Sequence, residues 1–182
     1  MKIAYKLILF TFLIGSFNML AQESFPKSWE GKYSGNLEIY GVDSVAMKLK
    51  MKLDISKKTD SIYQWKIMYD FKGKVDIRDY ELVVVETKRG IYKIDEKNSI
   101  EIDSFYKSGI FTSFFEVMNS FIISTYSKVE DTIVFEIISG DGKNTSVSGN
   151  TKLKNEDIPE VTSYLVNGRQ KAVLERIELL PN

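Results

Sequence analysis

The stretch "SWEGKYSGNLEIYG" (28–41) alternates large aromatic residues with glycine, because Trp29, Gly31, Tyr33 and Gly35 occupy every second position. A spacing of two places side chains on one face of a β-strand. Glycine on that face permits a sharp bend and the close approach of another strand, while the aromatic rings cover the space that the missing side chains leave. The stretch therefore predicts the first strand of a small closed β-barrel, with Trp29 packed as a plug at one end.

The same spacing of two continues along most of the chain. In "MKLKMKLDI" (47–55), apolar residues alternate with lysine and aspartate, which predicts one dry face and one wet face. Short turn signals separate the later candidate strands. Such links favour antiparallel neighbours and leave no room for crossover helices. The further candidate strands are 62–71, 80–88, 91–95, 99–106, 110–118, 121–127 and 132–139.

The alternation weakens towards the C-terminus. The residues "GDGKN" (140–144) predict a hairpin turn, because they lack the spacing and the terminal glutamate of an EF-hand calcium loop. Residues 145–153 predict a polar edge-like strand, and 155–160 predict a loop around Pro159. No metal site follows from this region.

Two structures compete for the last part of the chain. Asn167-Gly168 predicts a tight hairpin turn, because both residues tolerate positive φ. A C-terminal helix over 169–180 is the alternative, since this segment contains good helix formers. Apolar residues spaced by twos and fours favour the hairpin.

These patterns predict one all-β domain over residues 22–182. About ten antiparallel strands with one wet face must hide their edges, and a closed barrel or a two-sheet sandwich does so. Sequential hairpins without long connections favour a single antiparallel up-and-down β-barrel of about 8–11 strands.

The N-terminus predicts a signal peptide over residues 1–21. Lys2 and Lys6 precede the apolar run 7–22, which is short for a membrane span. We expect cleavage after Ala21 and an exported protein that is periplasmic, attached to the cell surface or secreted, without an integral membrane span. An uncleaved N-terminal anchor is the alternative. Because the sequence contains no cysteine, the exported domain must be stable without disulfides.

The charge balance excludes two classes of partner. The chain has 25 Lys or Arg residues and 25 Asp or Glu residues, and removal of residues 1–21 takes away two lysines. Nucleic-acid binding and attachment to anionic membranes both need a clustered positive excess. We therefore expect no nucleic-acid partner, and we expect a monomer.

The motif "WEGKYSG" (29–35) resembles the first strand of the calycins, which include lipocalins, fatty-acid-binding proteins and nitrobindin-like barrels. The resemblance implies a lipocalin-like barrel with a ligand inside and a late arginine packed over Trp29. Arg176 is the matching candidate and Arg169 the second. The motif departs from the lipocalin order, because tryptophan precedes glycine here. Since the sequence has no histidine, a His-ligated haem is excluded, and we expect no cofactor.

Most kinds of catalytic site need side chains that this sequence does not contain. Without histidine or cysteine there is no Ser-His-Asp triad, no cysteine nucleophile and no His/Cys metal site. The sequence nominates no catalytic residue and no metal ligand. An enzyme that uses carboxylates or tyrosines stays an open alternative.

Bulky side chains on two candidate strands suggest where a ligand binds. Aromatic residues on both faces of one strand cannot all fill a barrel interior, so some cover an outer surface, the barrel mouth or a partner. Simple core filling is the alternative use of these side chains. The candidate ligand contacts are Met51, Tyr63, Gln64, Trp65, Lys66, Tyr69, Phe114 and Met118.

The function that we expect is non-catalytic binding of a small hydrophobic or amphipathic ligand inside an exported lipocalin-like barrel. The first alternative is a periplasmic or cell-surface structural or protein-interaction module with a filled core. An outer-membrane barrel is the second alternative, although the chain lacks a terminal aromatic residue and alternating long loops.

Overall fold

A computed structural model describes residues 24–177 of the 182-residue chain, so the predicted signal peptide (1–21) lies outside the described residues. Two short 3₁₀ helices occupy Lys27–Trp29 and Thr87–Arg89. The strands are β1 (Gly31–Tyr40), β2 (Val45–Lys57), β3 (Ile62–Phe71), β4 (Lys74–Glu86), β5 (Ile91–Asp95), β6 (Glu101–Lys107), β7 (Ile110–Val117), β8 (Ser120–Val129), β9 (Thr132–Ser148), β10 (Thr151–Leu153), β11 (Glu156–Ile158) and β12 (Val161–Arg176).

Ten of the strands form one closed antiparallel barrel with up-and-down connectivity. The first eight hairpins pair consecutive strands from β1 to β9, then β9 pairs with β12, and β12 pairs with β1. Strands β10 and β11 pair only with each other. The predicted fold class is therefore confirmed, and the barrel is compatible with the resemblance to calycins. Because β1 meets β12, the sheet has no edge at the point of closure.

The alternation of each strand sorts its residues between the interior and the outer surface. In the register of β1, Tyr33 lies opposite Leu53 of β2 and opposite Arg176 of β12. The lysines between the apolar residues of β2 lie on the outer face. Large residues with less than 2 % exposure fill the interior, among them Tyr33, Met51, Leu53, Ile55, Trp65, Leu82, Tyr92, Phe111, Ile133, Phe135 and Leu174.

The barrel has two different ends. We call the end at the β2–β3, β4–β5, β6–β7 and β8–β9 turns the closed end, because the N-terminal segment lies across it. Phe25 stacks on Tyr106 at 4.4 Å between ring centroids and contacts Trp29 edge-on at 4.9 Å. Tyr92 and Phe111 complete this cluster around Phe25. The opposite end, with the β1–β2, β3–β4, β5–β6 and β7–β8 turns, is the open end.

Trp29 plugs the closed end, but it does not belong to the first strand. It lies in the 3₁₀ helix before β1 and is 3 % exposed. The chain changes direction at Gly31, where φ is +147°, so the strand alternation begins two residues after the tryptophan. The prediction that Trp29 shares a strand with Gly31 is therefore wrong in this detail.

Two glycines allow the first strand to approach the last. A Cβ atom on Gly31 would collide with the guanidinium of Arg176, and a Cβ atom on Gly35 would collide with the backbone carbonyl of Val173. The second collision involves main chain, which cannot rotate away as a side chain can. A side chain at Gly35 would thus push β1 and β12 apart at the point where the barrel closes.

Arg176 ties the closed end together. Its Nη1 donates a hydrogen bond to the carbonyl of Glu30 at 2.8 Å, its Nη2 donates to Tyr33 Oη at 2.9 Å, and its Nε donates to Asp131 Oδ1 at 2.7 Å. The guanidinium also lies 5.0 Å from the centroid of the Tyr33 ring. Tyr33 Oη in turn donates to the carbonyl of Trp29 at 2.9 Å. Burial raises the pKa of Tyr33, and the guanidinium opposes that shift.

The C-terminal part of the chain differs from the prediction. Strand β9 runs through 140–144 without a turn, and β12 continues through Asn167-Gly168 without a hairpin. The register shifts near Val166, so the Asn-Gly pair lies at a β-bulge. The alternative of a helix over 169–180 is also wrong, since β12 extends to Arg176, and residues 178–182 lie outside the described part.

Strands β9 and β12 extend beyond the barrel as a two-stranded ribbon. Pairing of β9 with β8 ends at Asp141, and pairing of β12 with β1 begins at Gln170. We call residues 142–168 the arm. Its tip is the β10–β11 hairpin, which replaces the loop predicted for 155–160.

Candidate ligand-binding cavity

The barrel interior is packed at the closed end and unfilled towards the open end. A cavity of about 180 Å³ lies there, between strands β3 to β9. Its floor is aromatic: Tyr126 contacts Trp65 edge-on at 5.1 Å and Phe135 at 4.6 Å between ring centroids. Aliphatic and aromatic walls rise from this floor, formed by Ile67, Ile94, Ile102, Phe115, Ile122 and Ile137.

The floor of the cavity is continuous with the closed-end cluster. The Trp65 ring lies 5.4 Å from the ring of Phe111, which also packs against Phe25 at 5.1 Å. A chain of rings therefore runs from the N-terminal segment to the bottom of the cavity. Close-packed rings give this half of the barrel little freedom to collapse into the empty space.

Three tyrosine hydroxyls lie among the apolar walls. Burial raises the pKa of Tyr69 to about 12. It also raises the pKa of Tyr126, where a hydrogen bond from Trp65 opposes the shift. Burial is the main cause that raises the pKa of Tyr80, and the Glu96 carboxylate raises it further. The charge of Arg78 opposes this shift. All three phenols are neutral at physiological pH, so they act as hydrogen-bonding groups.

Serine side chains supply further polar atoms. Ser104 Oγ donates a hydrogen bond to the carbonyl of Ile102 at 3.1 Å, and it lies 2.7 Å from Ser113 Oγ. A serine hydroxyl has one proton, so when Ser104 donates to Ile102, Ser113 donates to Ser104. Ser113 then faces the cavity as an acceptor. Ser124, its neighbour on β8, also lines the cavity.

Strand pairing in the barrel wall is incomplete beside these serines. Strands β6 and β7 pair from Lys107–Ile110 to Ser104–Ser113 and no further. Beyond that pair, Glu101–Asp103 and Phe114–Val117 have no partner across the β6–β7 junction, although β5 still pairs with β6 and β7 with β8. Ile102, Ser113 and Phe115 lie at this junction and line the cavity. The cavity is therefore lined in part by a stretch where β6 and β7 are not paired with each other.

Glu96 lies at the mouth of the cavity, after the end of β5. Asn98 Nδ2 donates a hydrogen bond to Glu96 Oε2 at 3.2 Å. The nearby cations are bound elsewhere: Lys97 Nζ contacts Asp79 at 2.7 Å, and Arg78 donates two hydrogen bonds to Asp76. Within residues 24–177, Glu96 forms no ion pair.

The structure brings two of the eight sequence-predicted contacts to the cavity. Trp65 and Tyr69 line it, whereas Met51 and Tyr63 are buried in the packed part of the core. Gln64 and Lys66 lie on the outer face of β3, because Tyr63, Trp65 and Ile67 face inwards. Phe114 is 64 % exposed on the outer face of β7, and Met118 is 95 % exposed in the β7–β8 turn.

Four polar residues of the cavity were missed in the sequence. Tyr80, Ser113 and Tyr126 lie at inward positions of strands, and the strand of Tyr80 begins at Lys74 and not at Tyr80 as predicted, while Glu96 lies in a turn. A usable signal was present, because Ser113 and Ser124 interrupt inward faces that are otherwise bulky. Small polar residues on such a face indicate empty space or a polar ligand.

The comparisons add no relative to this description. No protein-family model matches the chain, and no curated protein matches its sequence at a significant level. Within residues 24–177, no helix has both the length and the apolar character needed to cross a membrane. In the same range, no group of three or more carboxylates converges as a metal site would require.

Proposed function

We propose that this protein is an exported, calycin-like barrel that binds a small amphipathic molecule in the cavity without changing it chemically. The observation that carries the proposal is the cavity itself: an apolar space with several convergent hydroxyls, inside a barrel that is otherwise closely packed. Ligand sites commonly combine apolar walls with a few placed polar groups. The predicted signal peptide supports export, and the absence of histidine and cysteine supports a non-catalytic role.

The size of the cavity restricts the ligand. The cavity volume is about 180 Å³. Pockets for larger metabolites span roughly 300–1,000 Å³. The cavity therefore suits a compact molecule, such as a single substituted ring, better than a long acyl chain or a porphyrin.

A cavity-filling substitution tests the proposal. We expect Ser124→Ile to weaken the binding of 2-phenylethanol at least tenfold, because the larger side chain occupies the space above the aromatic floor. Isothermal titration calorimetry gives the affinity, and fluorescence of Trp65 reports occupancy.

Ser127→Ile is the matched control for this test. Ser127 lies on the same strand but faces outwards, opposite Ile110. Its substitution should leave the affinity within about twofold. Equal affinity in the wild type and the Ser124→Ile variant, or no saturable binding of this probe to the wild type, would overturn the proposal.

A second candidate function is protein interaction through the outer surface at the open end. Phe114 and Tyr164 are 64 % and 47 % exposed, and each packs on Phe121, at 6.2 Å and 5.3 Å between ring centroids. Exposed apolar clusters of this kind are typical of interaction sites.

The double variant Phe114→Ser and Tyr164→Ser separates the two candidates. If the outer surface carries the function, this variant should lose a stoichiometric partner identified by cross-linking, whereas Ser124→Ile should retain it. If the cavity carries the function, the double variant should bind 2-phenylethanol as the wild type does. Circular dichroism would check that each variant is folded.

A further inference from the structure

We infer that the cavity selects a small primary amine, with its protonated amino group beside Glu96 and its apolar body on the aromatic floor. This inference rests on the proposed function and names the chemical class of its ligand. Among the described residues that line the cavity, Glu96 is the one with a formal charge. The ligand's polar end therefore meets a negative group.

Within residues 24–177, no basic side chain forms an ion pair with Glu96, and its basic neighbours Arg78 and Lys97 are paired with other acids. Arg78 is held by Asp76, with hydrogen bonds of 2.8 and 3.0 Å to the same carboxylate oxygen. Lys97 is held between Asp79 at 2.7 Å and Glu81 at 3.8 Å. Both basic neighbours are thus paired with other acids, although Arg78 also lies close to the Tyr80 hydroxyl. The carboxylate at the mouth accepts a hydrogen bond from the amide of Asn98, and the Tyr80 hydroxyl is its second hydrogen-bonding neighbour.

The uncharged polar atoms that line the cavity also favour a ligand that donates hydrogen bonds. When Ser104 donates to the Ile102 carbonyl, Ser113 donates its proton to Ser104 and presents an acceptor to the cavity. Three phenol oxygens and Ser124 can accept hydrogen bonds from a ligand. An ammonium group has three donors and no acceptor, which matches such a lining.

A carboxylate ligand fits this lining poorly. It would place a second negative charge near Glu96. Within residues 24–177 no lysine or arginine lines the cavity, and Arg78, which lies beside Tyr80, is hydrogen-bonded to Asp76. The site therefore differs in charge from one built for a fatty acid. A neutral alcohol avoids the repulsion but gains no attraction from the carboxylate.

Three probes with one common ring test the charge preference. At neutral pH, we expect 2-phenylethylamine to bind at least tenfold more tightly than 2-phenylethanol, and phenylacetate to bind at least tenfold more weakly than the alcohol. Raising NaCl from about 0.02 to about 0.5 M should weaken amine binding and leave alcohol binding unchanged, because salt screens a partly exposed charge pair.

The substitution Glu96→Gln assigns the preference to one side chain. We expect it to remove the advantage of the amine while alcohol binding stays within twofold of the wild type. Glu116→Gln is the matched control, because Glu116 is exposed on the outer face of β7. It should leave all three affinities unchanged.

The outcomes separate this inference from the proposed function. If the alcohol binds and Ser124→Ile abolishes that binding, but the amine shows no advantage, then the inference is overturned and the proposed function stands. An amine preference that persists in Glu96→Gln overturns the inference in the same way. If none of the three probes binds the folded protein, both are overturned.

Discussion

Replacing Trp29 by alanine is expected to lower the free energy of unfolding by about 3–5 kcal/mol, which is typical of a large aromatic residue removed from a core. The side chain is 3 % exposed and contacts Phe25 at 4.9 Å and Tyr106 at 6.0 Å between ring centroids. Trp29 covers the closed end of the barrel, where the strands end. No strand continues past this point to fill the space that the alanine variant would leave. A domain of this size should lose roughly 6–20 °C in Tm.

Thermal and urea unfolding followed by circular dichroism would measure this loss. Phe114→Ala is the matched control, because Phe114 is also a large aromatic residue but is 64 % exposed on the outer face of β7. Its loss should change stability by no more than about 0.5 kcal/mol. A similar small effect for Trp29→Ala would contradict the role of this residue as the plug of the closed end.

The barrel was predictable because a spacing of two, repeated between short turns, leaves few arrangements of strands. The opening motif also indicated correctly that Gly35 lies against the last strand, since Val173 leaves no room for a side chain there. Alternation cannot predict how the segment before the first strand folds, because that segment has no spacing of two. Phe25 lies outside any periodic segment, yet it contacts four aromatic residues at the closed end.

Glycine misled the prediction of the C-terminal part, because it has two uses. In a hairpin it permits positive φ, whereas between two strands it permits close contact. A Cβ atom on Gly168 would collide with the Ser139 side chain, and one on Gly140 would lie 3.1 Å from the carbonyl of Leu165. Both glycines therefore serve the pairing of β9 with β12, and the local sequence alone predicts turns instead.

The residues that line the cavity could be predicted only in part. The sequence pattern does not determine which face of a strand points inwards or how far along the barrel a residue lies. Alternation separates the two faces of a strand but does not say which face is inside, and a shift of one residue exchanges them. Phe114 and Phe115 illustrate this ambiguity, since both are aromatic and only Phe115 lines the cavity. Depth is not encoded by alternation either: Tyr63 and Tyr69 share one face, but only Tyr69 reaches the unfilled half.

Arg176→Lys should lower the free energy of unfolding by about 2–3 kcal/mol, although the charge is kept. Lysine cannot supply the planar set of donors that reaches the Glu30 carbonyl, Tyr33 Oη and Asp131 together. The loss leaves the half-buried Glu30 carbonyl without this donor, and a missing hydrogen bond to a charged group costs about 1.5–3 kcal/mol. Chemical denaturation of the variant would give the value.

Arg169→Lys is the matched control, because it makes the same chemical change at a different place in the barrel. Arg169 was the second sequence candidate for the arginine that packs over Trp29, but it lies 5.0 Å from the centroid of the Tyr40 ring and 3.5 Å from Glu136 on the outer face. An exposed pair of this kind contributes about 0–1 kcal/mol, so little change is expected.

A double-mutant cycle with Tyr33→Phe then isolates the contact between Arg176 and the Tyr33 hydroxyl, for which we expect a coupling of about 1 kcal/mol. Additive effects of the two substitutions would show that Arg176 stabilises the closed end without this hydrogen bond. Coupling would show instead that the hydrogen bond from Arg176 to Tyr33 Oη stabilises the closed end, where the same hydroxyl donates to the Trp29 carbonyl. The first strand, the last strand and the plug would then be held by one connected set of hydrogen bonds.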